Sequence, residues 1–130
     1  MASATGIVRL AKRYLAEYKG KTVLNPSRIS AKSVYDALKA GDEAAAAIVE
    51  QVSDYLGNAL AIFSCVVDPE VIVSGGGVSK AGQILIDNVK KYYQKYAFIS
   101  CMDTPIVLAE LENEAGIYGA AKLALDGQNL

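Results

Sequence analysis

Histidine and tryptophan are missing from all 130 residues, while cysteine, phenylalanine and proline appear two, two and three times. Without histidine the chain lacks the commonest general base, so proton transfer would need a carboxylate, a lysine or a group from outside it. The two cysteines, Cys65 and Cys101, stand apart with no CxxC pair. That makes a zinc site built from this chain improbable and fits a reduced, cytoplasmic setting. No excess of either charge exists: 13 basic and 14 acidic residues leave a net charge of -1. No long-range field therefore gathers nucleic acid or an anionic membrane. Long apolar runs are missing too. The longest uncharged stretch, Tyr55 to Val67, falls well short of the ~20 residues a spanning helix needs and reads as a buried helix. The opening MASATGIVRLAKRY lacks a continuous apolar segment with a cleavage site, so no signal peptide is expected.

What is present is a chain that is 52% hydrophobic, enough for a compact core of its own or a share in a larger one. From Thr5, Ile7, Leu10, Ala11, Tyr14, Leu15 and Tyr18 recur at helical spacing, with Gly20 as a stop. A connector, TVLNPSRIS, leads to Ser30 as the N-cap of a short helix through Val34, Tyr35 and Leu38 that Gly41 closes. From Asp42 a long helix follows, acidic in its first turn and striped by Ile48, Val52, Leu56, Leu60 and Phe63; Asp68 and Pro69 end it. Val71, Ile72 and Val73 form a β-branched run of the kind buried in parallel sheets. Ser79 caps the next expected helix, through Ile84, Leu85, Val89, Tyr92, Tyr93 and Tyr96, and Pro105 precedes a second strand, Ile106 to Leu108. The predicted fold class is α/β: mostly helical, with one parallel βαβ unit whose strands lie near 71–74 and 105–109. A last helix near 114–125 carries Gly116, Gly119, Ala120 and Ala121, which permit close approach of a neighbour. Two strands do not make a self-sufficient sheet, so the chain is expected to be part of a larger domain or to complete its core with a second copy.

Four segments invite functional readings. GKT at Gly20 to Thr22 resembles the end of a phosphate-binding loop, but Leu15 stands where that motif needs glycine and no strand precedes it. KKYYQKY, Lys90 to Tyr96, interleaves basic and aromatic residues as single-strand binders do. Helical spacing instead puts Tyr92 and Tyr96 on one side and the lysines outward, so a solvated amphipathic face is expected rather than nucleic-acid binding. Glu110, Glu112 and Glu114 read as a polar loop, with Asn113 and Glu114 capping the last helix, rather than as a metal site. The glycine turn Gly75, Gly76 and Gly77 supports two readings equally. It would let backbone approach a nucleotide beside a helix N-terminus, or it would only reverse the chain tightly, since Ser79 and Lys80 break the GxGxxG spacing.

Together, VIVSGGGVSKAG, LENEAGIYGAAKLAL, ASATGIVRLAKRY and ISAKSVYDALKAGDEAA, in this order and spacing along nearly all of the chain, resemble the C-terminal end of ROK family (repressor, open reading frame, kinase) sugar kinases. The nearest likeness is to bacterial glucokinases. The resemblance implies an actin-like, ribonuclease-H-like ATPase fold of two lobes closing over ATP and sugar. It implies that residues 71–82 are an adenosine motif, with Gly75, Gly76, Gly77 and Val78 against the nucleotide, and that residues 114–125 are the second connecting helix near the hinge. Glu114 stands where the family often has aspartate, a departure that leaves a capping role intact. The family's phosphate loop, catalytic aspartate, sugar-binding residues and zinc-binding cysteines have no counterpart here, so no catalytic residue and no metal ligand is assigned. The expectation is a nucleotide-side fragment of a glucokinase, inactive alone, whose parent uses ATP with magnesium on glucose, is not membrane-bound and forms homo-oligomers. A sugar-responsive repressor, or a kinase for another hexose or N-acetylhexosamine, is the alternative parent.

Overall fold

In a computed structural model, the structure describes residues 3–76, 81–111 and 114–127. Helix α1, Ala4–Glu17, opens on Ser3, whose side chain accepts the Gly6 N–H, and ends at Tyr18, two residues before the expected glycine stop. Helix α2, Ala31–Lys39, starts with a reciprocal capping box between Ser30 and Ser33. Its end is a Schellman turn: Gly41, at φ +82, donates to the Leu38 carbonyl, and the Asp42 N–H donates to that of Ala37. Asp42 then caps α3, Glu43–Val67, and its other carboxylate oxygen accepts the Val23 N–H at 2.8 Å. Desolvation pulls the Asp42 carboxyl upward, but the N–H groups of Ala45 and Val23, with the Thr22 hydroxyl, together hold it below its ordinary range. Asp68, left-handed at φ 48, and Pro69 end α3 as expected.

Strands β1, Ile72–Ser74, and β2, Ile106–Leu108, form a two-stranded parallel sheet, with Ile72 opposite Ile106 and Ser74 opposite Leu108. Helix α4, Gln83–Tyr96, connects them, and α5, Ala115–Gly127, follows. The core gathers Ile7, Leu10 and Ala11 of α1, Val34 and Tyr35 of α2, Ile48, Val49 and Val52 of α3, Leu85, Val89 and Tyr93 of α4, and Ile106. Helices α3 and α4 cross at Gly57, where the α4 backbone at Tyr92 and Tyr93 comes closest. Tyr93 donates to the Cys101 carbonyl at 2.6 Å with Ser64 Oγ 3.1 Å away, so the Tyr93 hydroxyl is satisfied internally.

Several expectations are corrected. Phe63 lies on the outer face of α3 with Ile62, Val66 and Val67, all exposed; the inner stripe continues instead through Gly57, Ala61 and Ser64, small residues that admit α4. Only one face of the sheet is covered: Ile72, Ile106 and Leu108 pack on the core, whereas Val73 is 58% exposed and Val107 41%. In the KKYYQKY segment Tyr92 and Tyr93 are both buried; Tyr92 and Tyr96 share one side as expected, donating to Glu50 and Asp54 of α3, although Tyr96 is exposed rather than inner, and the lysines lie outward. Helix α5 has no buried residue, and nothing lies within 4 Å of a Cβ added at Gly116 or Gly119, so the approach those glycines permit is not made among the described residues. Among the described residues no helix is long and apolar enough to cross a membrane.

Candidate functional site: the glycine turn after β1

Strand β1 delivers the turn. The Ile72 N–H donates to the Pro105 carbonyl and the Ala109 N–H to the Ser74 carbonyl, both at 2.8 Å, so β2 pins the strand up to its last residue. In a parallel ladder this alternation turns the N–H and C=O of Val73 away from β2, leaving that edge of β1 open. Gly75 follows, then Gly76 at φ +83, a left-handed conformation that a side-chain-bearing residue adopts only with strain. Gly77 and Val78, expected in the same wall, lie outside the described residues, as do Ser79, Lys80, Glu112 and Asn113.

Helix α4 opens at the far side of this turn. Its N-cap is Gly82, at φ +73, not the expected Ser79, and no side chain among the described residues caps it. No acidic residue sits in its first turn, so the first-turn amides and the positive end of the helix dipole meet no carboxylate of their own helix there. Gly82 closes the 71–82 segment, and its sequence signal is an isolated glycine just before a helix. Beneath the turn, on the core side of the sheet, Leu56 and Leu60 of α3, Ile72 and Ile106, and Leu85 and Val89 of α4 enclose a hollow of about 240 Å³. It ends at Ser74 and Gly75, where apolar side chains give way to backbone. The arrangement offers backbone amides and a helix end to a polar or anionic ligand, with a firm apolar support below.

The other segments stay apart from this turn. GKT lies in the loop between α1 and α2, where the Thr22 hydroxyl accepts the Leu24 N–H at 3.1 Å. The Glu114 carbonyl accepts the Tyr118 N–H at 3.1 Å and so opens α5. Among the described residues no cluster of three or more histidine, cysteine, aspartate or glutamate side chains could hold a metal ion.

The model of the ROK family matches residues 1–127. The chain belongs to the ROK family. This ROK chain is 37% identical over 134 residues to the glucokinase of Halalkalibacterium halodurans, covering 99% of its own length and 41% of that protein. It superimposes on a ROK family glucokinase from Streptomyces griseus, solved with glucose and AMPPNP, with a TM-score of 0.81 at 25% identity; 93% of this chain and 42% of that one are covered. A ROK family transcriptional regulator, a homologue of the E. coli MLC protein, shares the fold at a TM-score of 0.66 and 24% identity, over 82% of this chain and 27% of that one. The ROK sugar kinases have the actin-like ATPase fold, and the α/β architecture here is part of it. The chain spans about two fifths of the length of the kinases it matches.

Proposed function

We propose that these residues form the nucleotide-side portion of an ATP-dependent glucokinase that acts in the cytoplasm. In the reaction the 6-hydroxyl oxygen of glucose attacks the γ-phosphorus of ATP, ADP leaves, and the hydroxyl proton passes to a carboxylate supplied from outside these 130 residues. Gly75, Gly76 and Gly77 lie against the ribose and α-phosphate, and Val78 borders the adenine. The observation that carries the reading is the left-handed Gly76 between a parallel strand and the uncapped α4. A turn of this kind presents backbone to a ligand without Cβ interference, beside the positive end of a helix dipole. Magnesium bound to ATP would neutralise charge on the phosphates, and no residue of this chain is assigned to hold it. The likeness to a glucokinase solved with glucose and AMPPNP supports a nucleotide as a ligand of the parent protein.

A coupled assay tests the reading. The full-length protein is expected to turn over ATP with glucose faster than with N-acetylmannosamine, and the isolated 130 residues are expected to show no turnover. Turnover by the pure 130-residue chain would contradict the assignment, and a helix-turn-helix with no phosphate loop in the full-length sequence would make the parent a repressor. We also propose that the chain associates with further copies of itself, supported by the exposed Ile62, Phe63, Val66 and Val67 on α3. Sedimentation is expected to show species larger than a monomer; a stable monomer would contradict this.

A further inference from the structure

A second recess, sharing no lining residue with the hollow under the glycine turn, lies between α1 and α3 and measures about 370 Å³. That is within the range of small-molecule sites, near the lower end. Its floor is Leu10, one of the core residues. Along α1 the wall is Arg9, Arg13 and Glu17, spaced one turn apart, which sets successive groups about 6 Å apart along the axis. Along α3 the wall is Gln51 and Tyr55, also one turn apart, and Tyr55 is 50% exposed. Tyr14 completes the lining, its ring stacked on Tyr18 at 5.5 Å.

The charged groups of this recess form no ion pair among the described residues. Ion pairs among the described residues join Lys91 to Glu50 and Lys122 to Asp126, so Arg9, Arg13 and Glu17 take part in none. Two guanidinium forks one turn apart suit the oxygens of a phosphate, which arginine engages in paired hydrogen bonds. Further along the same wall the character changes: the Glu17 carboxylate accepts hydrogen bonds, and the facing Gln51 amide both donates and accepts. Those groups suit hydroxyls, and the Tyr14 and Tyr55 rings offer flat apolar surface to the carbon face of a sugar ring. A bare anion would leave the tyrosines and Gln51 unused and would be repelled by Glu17. A neutral sugar would leave both guanidiniums without a partner.

We propose that the α1–α3 recess binds a phosphorylated hexose, its phosphate between Arg9 and Arg13 and its hydroxylated ring toward Glu17, Gln51 and Tyr55. The product of the reaction proposed above belongs to this class, so the recess would sense product away from the nucleotide turn. Binding itself does not depend on that reading.

Amide chemical shifts of the isotopically labelled 130-residue chain, titrated with glucose 6-phosphate, test it. Saturable shifts centred on residues 9–17 and 51–55 are expected, with a Kd on the order of 1 mM, and glucose or inorganic phosphate alone should bind at least about tenfold more weakly. R9Q/R13Q should weaken binding by about tenfold or more, and Tyr55→Ala, on the other wall, gives an independent reading should the double variant fail to fold. Absence of saturable shifts, equal binding of inorganic phosphate, shifts confined to Gly75 and Gly76, or unchanged affinity in a folded variant would each overturn the proposal.

Discussion

A Cβ added to Gly57 would lie 2.6 Å from both the Tyr92 Cβ and the Tyr93 backbone nitrogen, atoms that cannot yield without moving α4. Gly57→Ala is therefore expected to destabilise the chain by about 1–3 kcal/mol, the usual cost of overpacking a closely fitted contact. Gly116→Ala is the contrast, since nothing lies within 4 Å and removing a helical glycine gains about 0.5–1 kcal/mol. Thermal unfolding followed by circular dichroism should show a lower Tm for the first and an unchanged or higher Tm for the second; equal losses would contradict the crossing described. Two tyrosines should also be distinguishable by pH. The Tyr35 hydroxyl is buried with no partner among the described residues, and burial pushes it up to about 12. The Tyr92 hydroxyl is pushed up to about 12 by donating to Glu50 at 2.6 Å, and the same bond, with Lys91 nearby, lowers the Glu50 carboxyl. A raised tyrosine contributes stability below its ordinary value of 10.0 that is lost as pH rises toward 12; the lowered Glu50 contributes above its ordinary 4.5, lost as pH falls through its folded value. Tyrosinate absorbance should show late-ionising groups in the parent, and Tyr92→Phe and Tyr35→Phe should each remove one. A variant titrating like its parent would contradict the assigned cause.

At the scale of elements, protection should follow packing. Amides of α3 and α4 near the Gly57 crossing are enclosed by Val52, Leu85, Val89 and Tyr93, whereas α5 buries no residue. Hydrogen exchange of the 130-residue chain should therefore replace the α5 amides at the earliest times and those of the crossing last; comparable protection in α5 would show a partner for it within this chain. The helices were legible in the sequence where a local device marks them. Ser30, Gly41, Asp42 and the Asp68–Pro69 pair each act on their own neighbours, so their chemistry can be read without knowing the fold. Phe63 and Val73 were not legible in the same way, because apolar spacing identifies a face that can be buried but not which chain covers it. Gly57 gave no signal, since a glycine inside a helix does not announce the helix that will cross it. The recess beside Arg9 and Tyr55 joins two segments distant in sequence, 9–17 and 51–55, a proximity that local patterns do not encode.

For the molecule as a whole, the uncovered valines and the unpacked α5 fit a chain that spans only about two fifths of the ROK kinases it resembles. A parallel sheet is ordinarily covered on both faces, and on the edge of β1 away from β2 the Val73 backbone has no partner among the described residues. What the chain does hold in finished form is the strand end, the left-handed Gly76 and the uncapped start of α4. We propose that this turn contacts the nucleotide and not the sugar. Steady-state kinetics of Gly76→Val in the full-length protein test it most directly, because a branched side chain at that position would intrude where ATP is proposed to lie. The KM for ATP should rise by about tenfold or more, equivalent to ~1.4 kcal/mol, while the KM for glucose changes little. Equal increases in both, or a larger increase for glucose, would contradict the assignment.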